Sequence, residues 1–557
     1  MIETQPSAAT ASRRTSSNQP RSSPATPTTS HPADAPTSEP IGTFCLVLHS
    51  HLPWLAHHGS WPVGEEWLYQ SLAASYLPVM DVLARLAAEG RRDLLTLGVT
   101  PVLAAQLDDP HCLTAFGTWL GFWQARAAEL AQHGDPMLSR AGSYEWQGAD
   151  AATAAYEARW RHGASPVLRP LVDAGAIEYL GGPATHAFTP LLDDEVASFA
   201  LDTGLADARV RLGQRPHGIW APECGYRPGL ERIYQANGVS HFMADGPTLL
   251  HVGASPADAW TVGESDVVVF GRDLDVSYRV WSPRRGYPGG AWYRDFHAFH
   301  HESGFRPYRV TSPRLPSEEK APYDPAAALA AASRDADDFI DVVARRLVAL
   351  RDEREGRPGL VVAAYDTELF GHWWHEGPVW LEHVLRRLPE AGVRVTTLRG
   401  AINAGAVAGA VELQNGSWGS GKDFGVWSGP QVADIVSDND ELQRRLRKLV
   451  TLLRNDRFGR RATRAPALDQ AAREALLALS SDWAFMVSKD SAAAYARDRH
   501  RGHHEAFHRL ATLLERSVDS AIAVPSAVAA SGNLARDLAR TDYPFGHLDA
   551  RALPDVC

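Results

Sequence analysis

Short apolar runs recur along the chain at Phe44–Leu48, Leu94–Leu97, Ile177–Leu180, Gly218–Trp220, His241–Ala244, Val267–Phe270, Leu360–Ala364 and Val393–Leu398. Each is too short for a helix and apolar on both faces, the pattern of a strand buried on both sides. Between the first two, Leu72, Tyr76, Val79, Leu83 and Leu86 fall on one face of a helix that stops near Gly90. Strands alternating with helices predict βα units and a parallel sheet or barrel, with the number of strands left open. His49, Thr100, His186, Glu223, Asp245 and Asp366 all follow such runs, at the strand ends that form the catalytic face of a βα barrel.

The rhythm breaks between about 272 and 325. That stretch is rich in Pro, Gly and aromatic residues, holds Trp281, Tyr287, Trp292, Tyr293 and the histidines 297, 300 and 301, and continues into a helical pattern over Ala326–Arg354. It is predicted to be an insertion, about 272–355, within a catalytic barrel spanning 41–430. Beyond it, Asp438–Arg454, Ala467–Ser480 and His503–Arg516 have helical periodicity, which predicts a C-terminal helical domain over 431–557. Residues 1–40 are a Ser/Thr/Pro/Ala tail that cannot bury enough apolar surface to offset its ordering entropy, so it is predicted to be disordered.

With 557 residues, two or three domains are expected, and 45% hydrophobic residues suffice for a large core. A net charge of −11 argues against a nucleic-acid binder. The four cysteines, Cys45, Cys112, Cys224 and Cys557, show neither paired spacing nor a zinc-type CxxC, which suits a reducing cytoplasm. No apolar run approaches membrane-spanning length, and the N-terminus lacks the apolar segment of a secretory signal. A cytoplasmic protein without a membrane partner is expected; oligomeric state is not legible.

Two motifs carry candidate chemistry. Gly218–Gly229 (GIWAPECGYRPG) sets Glu223 in a Trp/Pro/Gly frame, and Val361–Glu376 (VVAAYDTELFGHWWHE) places Asp366 at the end of an apolar run. Two carboxylates at strand ends among Trp and His suit sugar chemistry: one attacks the anomeric carbon while the other protonates the leaving oxygen. On chemistry alone Asp366, Glu368 or Glu376 could be the acid. His49 and His51, with His186, His372 and His375, could instead hold a metal, as in deacetylases on similar barrels. Contacts to sugar hydroxyls are the favoured reading. Gly416–Gly425 (GSWGSGKDFG) lacks the final Ser/Thr of a phosphate-binding loop and precedes aromatic sequence, so an NTPase is excluded. The histidines 500, 503, 504 and 508 read as surface residues on a solvated helix.

WAPECGYRPG (220–229) and YDTELFGHWW (365–374) resemble two signature regions of glycoside hydrolase family 57. His49–Trp54 (HSHLPW), Leu180–Phe188 (LGGPATHAF) and Ser480–Phe485 (SSDWAF) resemble three others, in the same order, over roughly residues 44–515. The resemblance implies an incomplete (β/α)7 barrel, Glu223 as nucleophile and Asp366 as acid/base. Substrate contacts would come from His49, His51, His186, Trp281, Asp482 and two acceptor-side rings, Trp418 and Trp427, which are not expected to be ordinary core. Among the branches of the family, 1,4-α-glucan branching enzymes are the nearest, with an α-1,4-glucan as donor and acceptor and no metal or organic cofactor required. The stretch Asp245–Val252 is a further candidate for acceptor binding and water exclusion. The rivals are an amylase or 4-α-glucanotransferase of the same family and, on other chemistry, a metal-dependent polysaccharide deacetylase.

Overall fold

The computed structural model describes residues 39–282, 286–454, 466–518 and 525–554. The disordered tail predicted over 1–40 lies, up to residue 38, outside the described residues, as does Cys557. Ten strands share one sheet: β1 (Gly42–Ser50), β2 (Leu95–Val99), β3 (Ile177–Gly181), β4 (Gly218–Ile219), β5 (His241–Asp245), β6 (Ala259–Val262), β7 (Val268–Arg272), β8 (Gly359–Asp366), β9 (Val393–Thr396) and β10 (Val407–Val411). Seven of them run parallel in the order β7-β5-β4-β3-β2-β1-β8. No ladder joins β7 to β8 among the described residues; the Asp273 N–H reaches across to the Val362 carbonyl at 2.8 Å. This is the incomplete seven-stranded barrel. Every apolar run of the sequence lies on a strand. The two strands without such a run, β6 and β10, widen the sheet beside β7. Their residues are short, Ala/Gly-diluted and partly exposed, so no continuous apolar signal marks them.

Side chains alternate between the two faces of each strand. In β1, Phe44, Leu46 and Leu48 pack outward against helices while Cys45 and Val47 fill the barrel; in β8, Val361, Ala363 and Tyr365 point out and Leu360, Val362 and Ala364 point in. The outward face receives the helix Pro325–Glu353, whose Phe339 meets Phe44 edge-on at 6.0 Å. The barrel floor is polar. His241 Nε2 lies 2.7 Å from Glu178 Oε1, and Thr96 donates to Glu178 Oε2 at 3.0 Å. The helix Leu398–Asn403 closes this floor, with the Leu398 N–H on Thr96 and the Arg399 N–H on Glu178. Burial works against a charged Glu178, but His241 and these donors outweigh it and hold the carboxyl below its usual range.

A helical hairpin, Pro110–Ala131 and Pro136–Ala155, was not anticipated from the strand rhythm. Each of its helices starts on an Asp cap followed by Pro, Asp109 and Asp135 accepting from the next N–H groups. The insertion after β7 carries the helix Leu274–Trp281, 3-10 turns and the long helix already described. Contrary to expectation, one stretch, Glu65–Ala88, is long and apolar enough to cross a membrane; 61% of its apolar window is buried inside the protein, so here it serves as a core helix. A π-turn at Leu72–Tyr76 interrupts it.

The C-terminal helices Ala433–Arg454, Pro466–Ala478, Ser481–Lys489, Ala493–Val518 and Pro525–Leu538 belong to the same compact unit as the barrel. Their histidines are not all superficial: His500 is 3% and His503 2% exposed. The helix that carries them is enclosed by its neighbours, and polar partners offset the burial. His503 pairs with Glu474 at 2.9 Å and accepts from Arg499 at 2.8 Å; His500 meets Asn439 at 3.0 Å. Sequence hydropathy does not detect burial of this kind, because the buried face carries the polar residues Arg499, His500 and His503 in its first half.

The β8 loop is locked against the π-turn. The Ser75 hydroxyl donates to the Phe370 carbonyl at 2.9 Å and accepts the His372 N–H at 3.1 Å. Gly371 has φ +115, and a Cβ there would fall 1.7 Å from the Ala74 carbonyl oxygen. Gly371→Ala is therefore expected to cost on the order of 3 kcal/mol. A fall in the denaturation midpoint at unchanged slope reads this out; a wild-type midpoint contradicts the fit.

Candidate functional site

The alternation that fills the barrel also aims its upper rim. Continuing the inward sets of β1 and β8 places His49 and Asp366 at the mouth, Trp220 joins them from β4, and β5 and β7 end on Asp245 and Arg272. Glu223 follows β4 in a tight turn with φ 60 and ψ 22; Cys224 and His186 are also left-handed, at φ 51 and 58. Non-glycine residues in that region store about 1–3 kcal/mol each, and their clustering marks a functional site. Contacts from distant chain hold the turn. Gly416 and Tyr226 exchange two backbone hydrogen bonds, and the Trp418 N–H donates to the Glu223 carbonyl at 2.9 Å.

These residues surround one cavity of about 840 Å³. All nine residues predicted from sequence line it: Glu223, Asp366, His49, His51, His186, Trp281, Trp418, Trp427 and Asp482. Glu368 joins them, while Glu376 is tied down elsewhere by Tyr323 at 2.8 Å and the Arg294 N–H at 3.2 Å. Asp245–Val252 contributes nothing to the lining, which corrects the expectation that this stretch binds an acceptor. Asp245 is wholly buried, with both oxygens engaged by Arg272 and Lys422.

The two carboxylates sit in unlike surroundings. Glu223 is held on both oxygens: Trp418 Nε1 donates to Oε2 at 2.7 Å and the Ser481 hydroxyl to Oε1 at 3.0 Å. Burial raises its proton affinity, and these donors oppose the rise. Asp366 accepts no side-chain hydrogen bond among the described residues. Burial, then the charges of Glu368 and Glu223, push its carboxyl well above the usual range, against the pull of Arg272. Glu368, bonded to the Tyr76 hydroxyl and the His51 N–H, is raised by burial to about 7. Two carboxyls pushed apart in proton affinity are how one site holds an acid and a base at the same pH.

The histidines stack in a row. His49 lies 4.4 Å from Trp220 and 5.0 Å from His186, and His186 lies 3.9 Å from His51, between ring centroids. Burial disfavours charge on all three. Only His51 overcomes it, because Asp482 lies 2.9 Å from its Nε2; His49 and His186 are held well below the ordinary histidine range. His49 Nδ1 and His186 Nε2 are buried and without a hydrogen-bond partner among the described residues. His51, His186 and Asp482 bring potential ligand atoms within 4.8 Å of one another, the set a metal would use; here His51 Nε2 is engaged by Asp482, and His186 Nδ1 by Ser481 at 3.0 Å.

The two loop tryptophans differ. Trp418 meets the cavity with its ring and Glu223 with its N–H. Trp427 is 2% exposed and stacks on Phe188 at 4.4 Å, so it is core, contrary to expectation. Its ring abuts Gly419, and this packing shapes the loop from behind. Several lining residues were not foreseen: Trp61 (75% exposed), Trp67, Tyr278, Phe299 and Phe485 at the rim, and Arg272 and Lys422 below. Ser481, missed beside Asp482, was within reach of its motif. The rim rings are isolated aromatics in loops and helices, without a pattern.

A strand-end carboxylate pair on an incomplete parallel barrel has its counterpart in known proteins. The sequence model of glycosyl hydrolase family 57 matches residues 45–414, and the chain belongs to that family. The model described as "1,4-alpha-glucan branching enzyme, C-terminal" matches residues 440–552. A probable 1,4-alpha-glucan branching enzyme of Mycobacterium tuberculosis is 53% identical over 533 residues, covering 92% of this chain and 98% of that protein. The 1,4-alpha-glucan branching enzyme of Thermococcus kodakarensis is 33% identical over 512 residues, 86% of this chain and 74% of that one. The crystal structure of a family 57 branching enzyme from Thermococcus kodakaraensis, in complex with glucose, superposes with a TM-score of 0.85 at 30% identity, over 93% of this chain and 98% of the other.

The contrast between the tryptophans can be measured. Trp418→Phe keeps a ring but removes the donor to Glu223, and is expected to lower turnover about ten- to a hundredfold at a near-wild-type melting temperature. Trp427→Ala empties a core position, and is expected to cost about 3–5 kcal/mol and to reduce transfer and hydrolysis together. An unstable Trp418→Phe, or a stable Trp427→Ala defective only in transfer, would reverse these assignments.

Proposed function

We propose that this chain is a 1,4-α-glucan branching enzyme acting by retention. Glu223 attacks the anomeric carbon of an internal α-1,4 bond, and Asp366 gives its proton to the departing glycosidic oxygen. The severed segment remains as a glycosyl ester on Glu223. Asp366, now ionised, takes the proton from a 6-hydroxyl of an acceptor glucan. That oxygen displaces Glu223, forming the α-1,6 branch and restoring both carboxyls. The observation that carries this reading is the pair itself: two carboxylates facing one cavity, one held by donors and one held proton-rich by burial and like charge.

The surroundings support the same roles. Trp418 and Ser481 orient Glu223 and leave it with a proton affinity below that of an unassisted buried carboxyl. The bare ring nitrogens of His49 and His186 can meet sugar hydroxyls, and Asp482, braced by His51 and by Ser480 at 2.5 Å, can accept from others. Aromatic faces at Trp281, Trp61 and Phe299 line the path by which a chain enters. For transfer to outrun hydrolysis, a bound acceptor must exploit proximity, which is worth an effective concentration of about 10⁵ M or more. As substrate we propose an intracellular, glycogen-type α-glucan; the thiols of Cys45, Cys112 and Cys224, buried and unpaired, accord with a reducing cytoplasm.

The assignment is tested on amylose, by debranching the product with isoamylase and measuring released chains. Branches in the wild-type product are expected, and a product without α-1,6 linkages returns the chain to the amylase or 4-α-glucanotransferase reading. Glu223→Gln is expected to lose transfer and hydrolysis with the fold intact. Asp366→Asn is expected to fail on amylose yet to retain slow turnover of an aryl glycoside, whose leaving group needs no proton. Because Asp366 must start protonated, activity should fall on the basic side as that proton is lost, and Asp366→Asn should abolish this limb on the aryl glycoside. Wild-type branching in either variant would overturn its role.

A further inference from the structure

Asp245 ends β5 wholly buried and outside the cavity lining, yet its oxygens are shared by two cations that do line the cavity. Oδ1 accepts from Arg272 Nε at 2.9 Å and from the Gly246 N–H at 3.1 Å; Oδ2 accepts from Lys422 Nζ at 2.6 Å. The cations then lead to opposite halves of the chemistry. Lys422 Nζ also donates to the Trp418 carbonyl at 3.2 Å, within the loop whose indole N–H holds Glu223. Arg272 lies 5.4 Å from the centre of the Trp418 ring and is the cation whose charge opposes the proton on Asp366.

We propose that Asp245 is a positioning residue: it engages Arg272, which would otherwise be free to pair with Asp366, and, through Lys422, clamps the 416–425 loop onto Glu223. This deepens the reading above and rests on the carboxylate roles given there. A buried guanidinium binds whatever anion lies in reach. Besides Asp245, the titratable side chains that act on Arg272 are Cys224 and Tyr278, and the catalytic carboxyl on which its charge acts is Asp366. An Arg272–Asp366 ion pair would keep Asp366 ionised and unable to protonate the leaving oxygen. The groups that act on Asp366 are Glu368 and Glu223, the Tyr76 hydroxyl beyond Glu368, and Arg272. Burial and the two carboxylates favour its proton, and Arg272 is the charge among these that opposes it. Lys422 has a second demand on it. Its backbone is left-handed at φ 62, and its N–H closes the loop on the Gly419 carbonyl at 3.0 Å, so the side-chain anchor ties this turn to the barrel in addition to the Gly416–Tyr226 and Trp418–Glu223 contacts.

The test compares pH profiles of kcat/KM on amylose, with melting temperatures on the same preparations. Asp245→Asn frees Arg272 at nearly constant volume. Activity at the optimum is expected to fall about tenfold or more, and the basic limb to move about one pH unit toward acid, because a freed cation favours ionised Asp366. A side chain with only a packing role would lower stability and activity and leave that limb in place. Lys422→Met cuts the other arm: turnover is expected to fall about tenfold with the basic limb unmoved, since Arg272 keeps its partner, and Lys422→Arg should restore part of the loss. If Asp245→Asn does not fold, the lysine pair decides. An unmoved limb in a folded Asp245→Asn, or wild-type turnover in Lys422→Met, overturns the positioning role. With Asp366→Asn inactive on amylose, those results leave the carboxylate assignment standing; if Asp366→Asn branches amylose normally, both fall.

Discussion

In a sheet that curls on itself, every second side chain of every strand has to go inside. That constraint organises the whole protein. Its lowest layer is the Thr96–Glu178–His241 network, its middle is Cys45, Val47, Leu180, Met243, Phe270 and Val362, and its top is His49, Trp220, Arg272 and Asp366. A one-residue slip in any strand would turn the apolar layer outward and take the site with it. The same register therefore specifies the core and the catalytic mouth. The seam between β7 and β8 is where the barrel stays open, and Arg272 and Asp366 end those two strands at the mouth.

Charge is the second constraint. Glu223, Asp366, Glu368 and Asp482 crowd one cavity, accompanied by Arg272, Lys422 and a His51 whose proton affinity Asp482 raises. Burying so many ionisable groups is costly unless each is paired or neutralised. Here the solutions differ from group to group. Asp482 takes His51, Glu223 takes two neutral donors, Glu368 takes a tyrosine hydroxyl, and Asp366 has its proton affinity raised by burial and like charge. The differences follow from position rather than residue type, and they turn four similar carboxyls into groups with separate tasks.

Much of the cavity wall comes from chain far from the barrel strands. The 416–425 loop supplies Trp418, the helix Ser481–Lys489 supplies Asp482 and Phe485, and the insertion supplies Trp281 and Phe299. The C-terminal helices are thus part of the reaction chamber. This suits transfer between two long chains, because walls built by separate segments can grip donor and acceptor on different sides of the same nucleophile.

The sequence by itself marked eight of the ten strands, because continuous apolar runs survive without context, and it marked Glu223 by its Trp/Pro/Gly frame, while Asp366 was singled out from Glu368 and Glu376 only by the family signature. The family signatures brought His49, His51, His186 and Asp482 with them. Tertiary structure decided the rest. Whether Trp427 is core or platform depends on Phe188, which lies 239 positions earlier in the chain and stacks on it. His503 is buried because Glu474 and Arg499 meet it there. Asp245 follows a strand just as Asp366 does, and only the arrival of Lys422 from another segment shows that it faces away from the cavity. Proton affinities were equally hidden, since burial and neighbouring charge are properties of the packed site. Local pattern encodes what a segment does alone; a role that depends on which distant group comes to meet it exists only once the chain has folded.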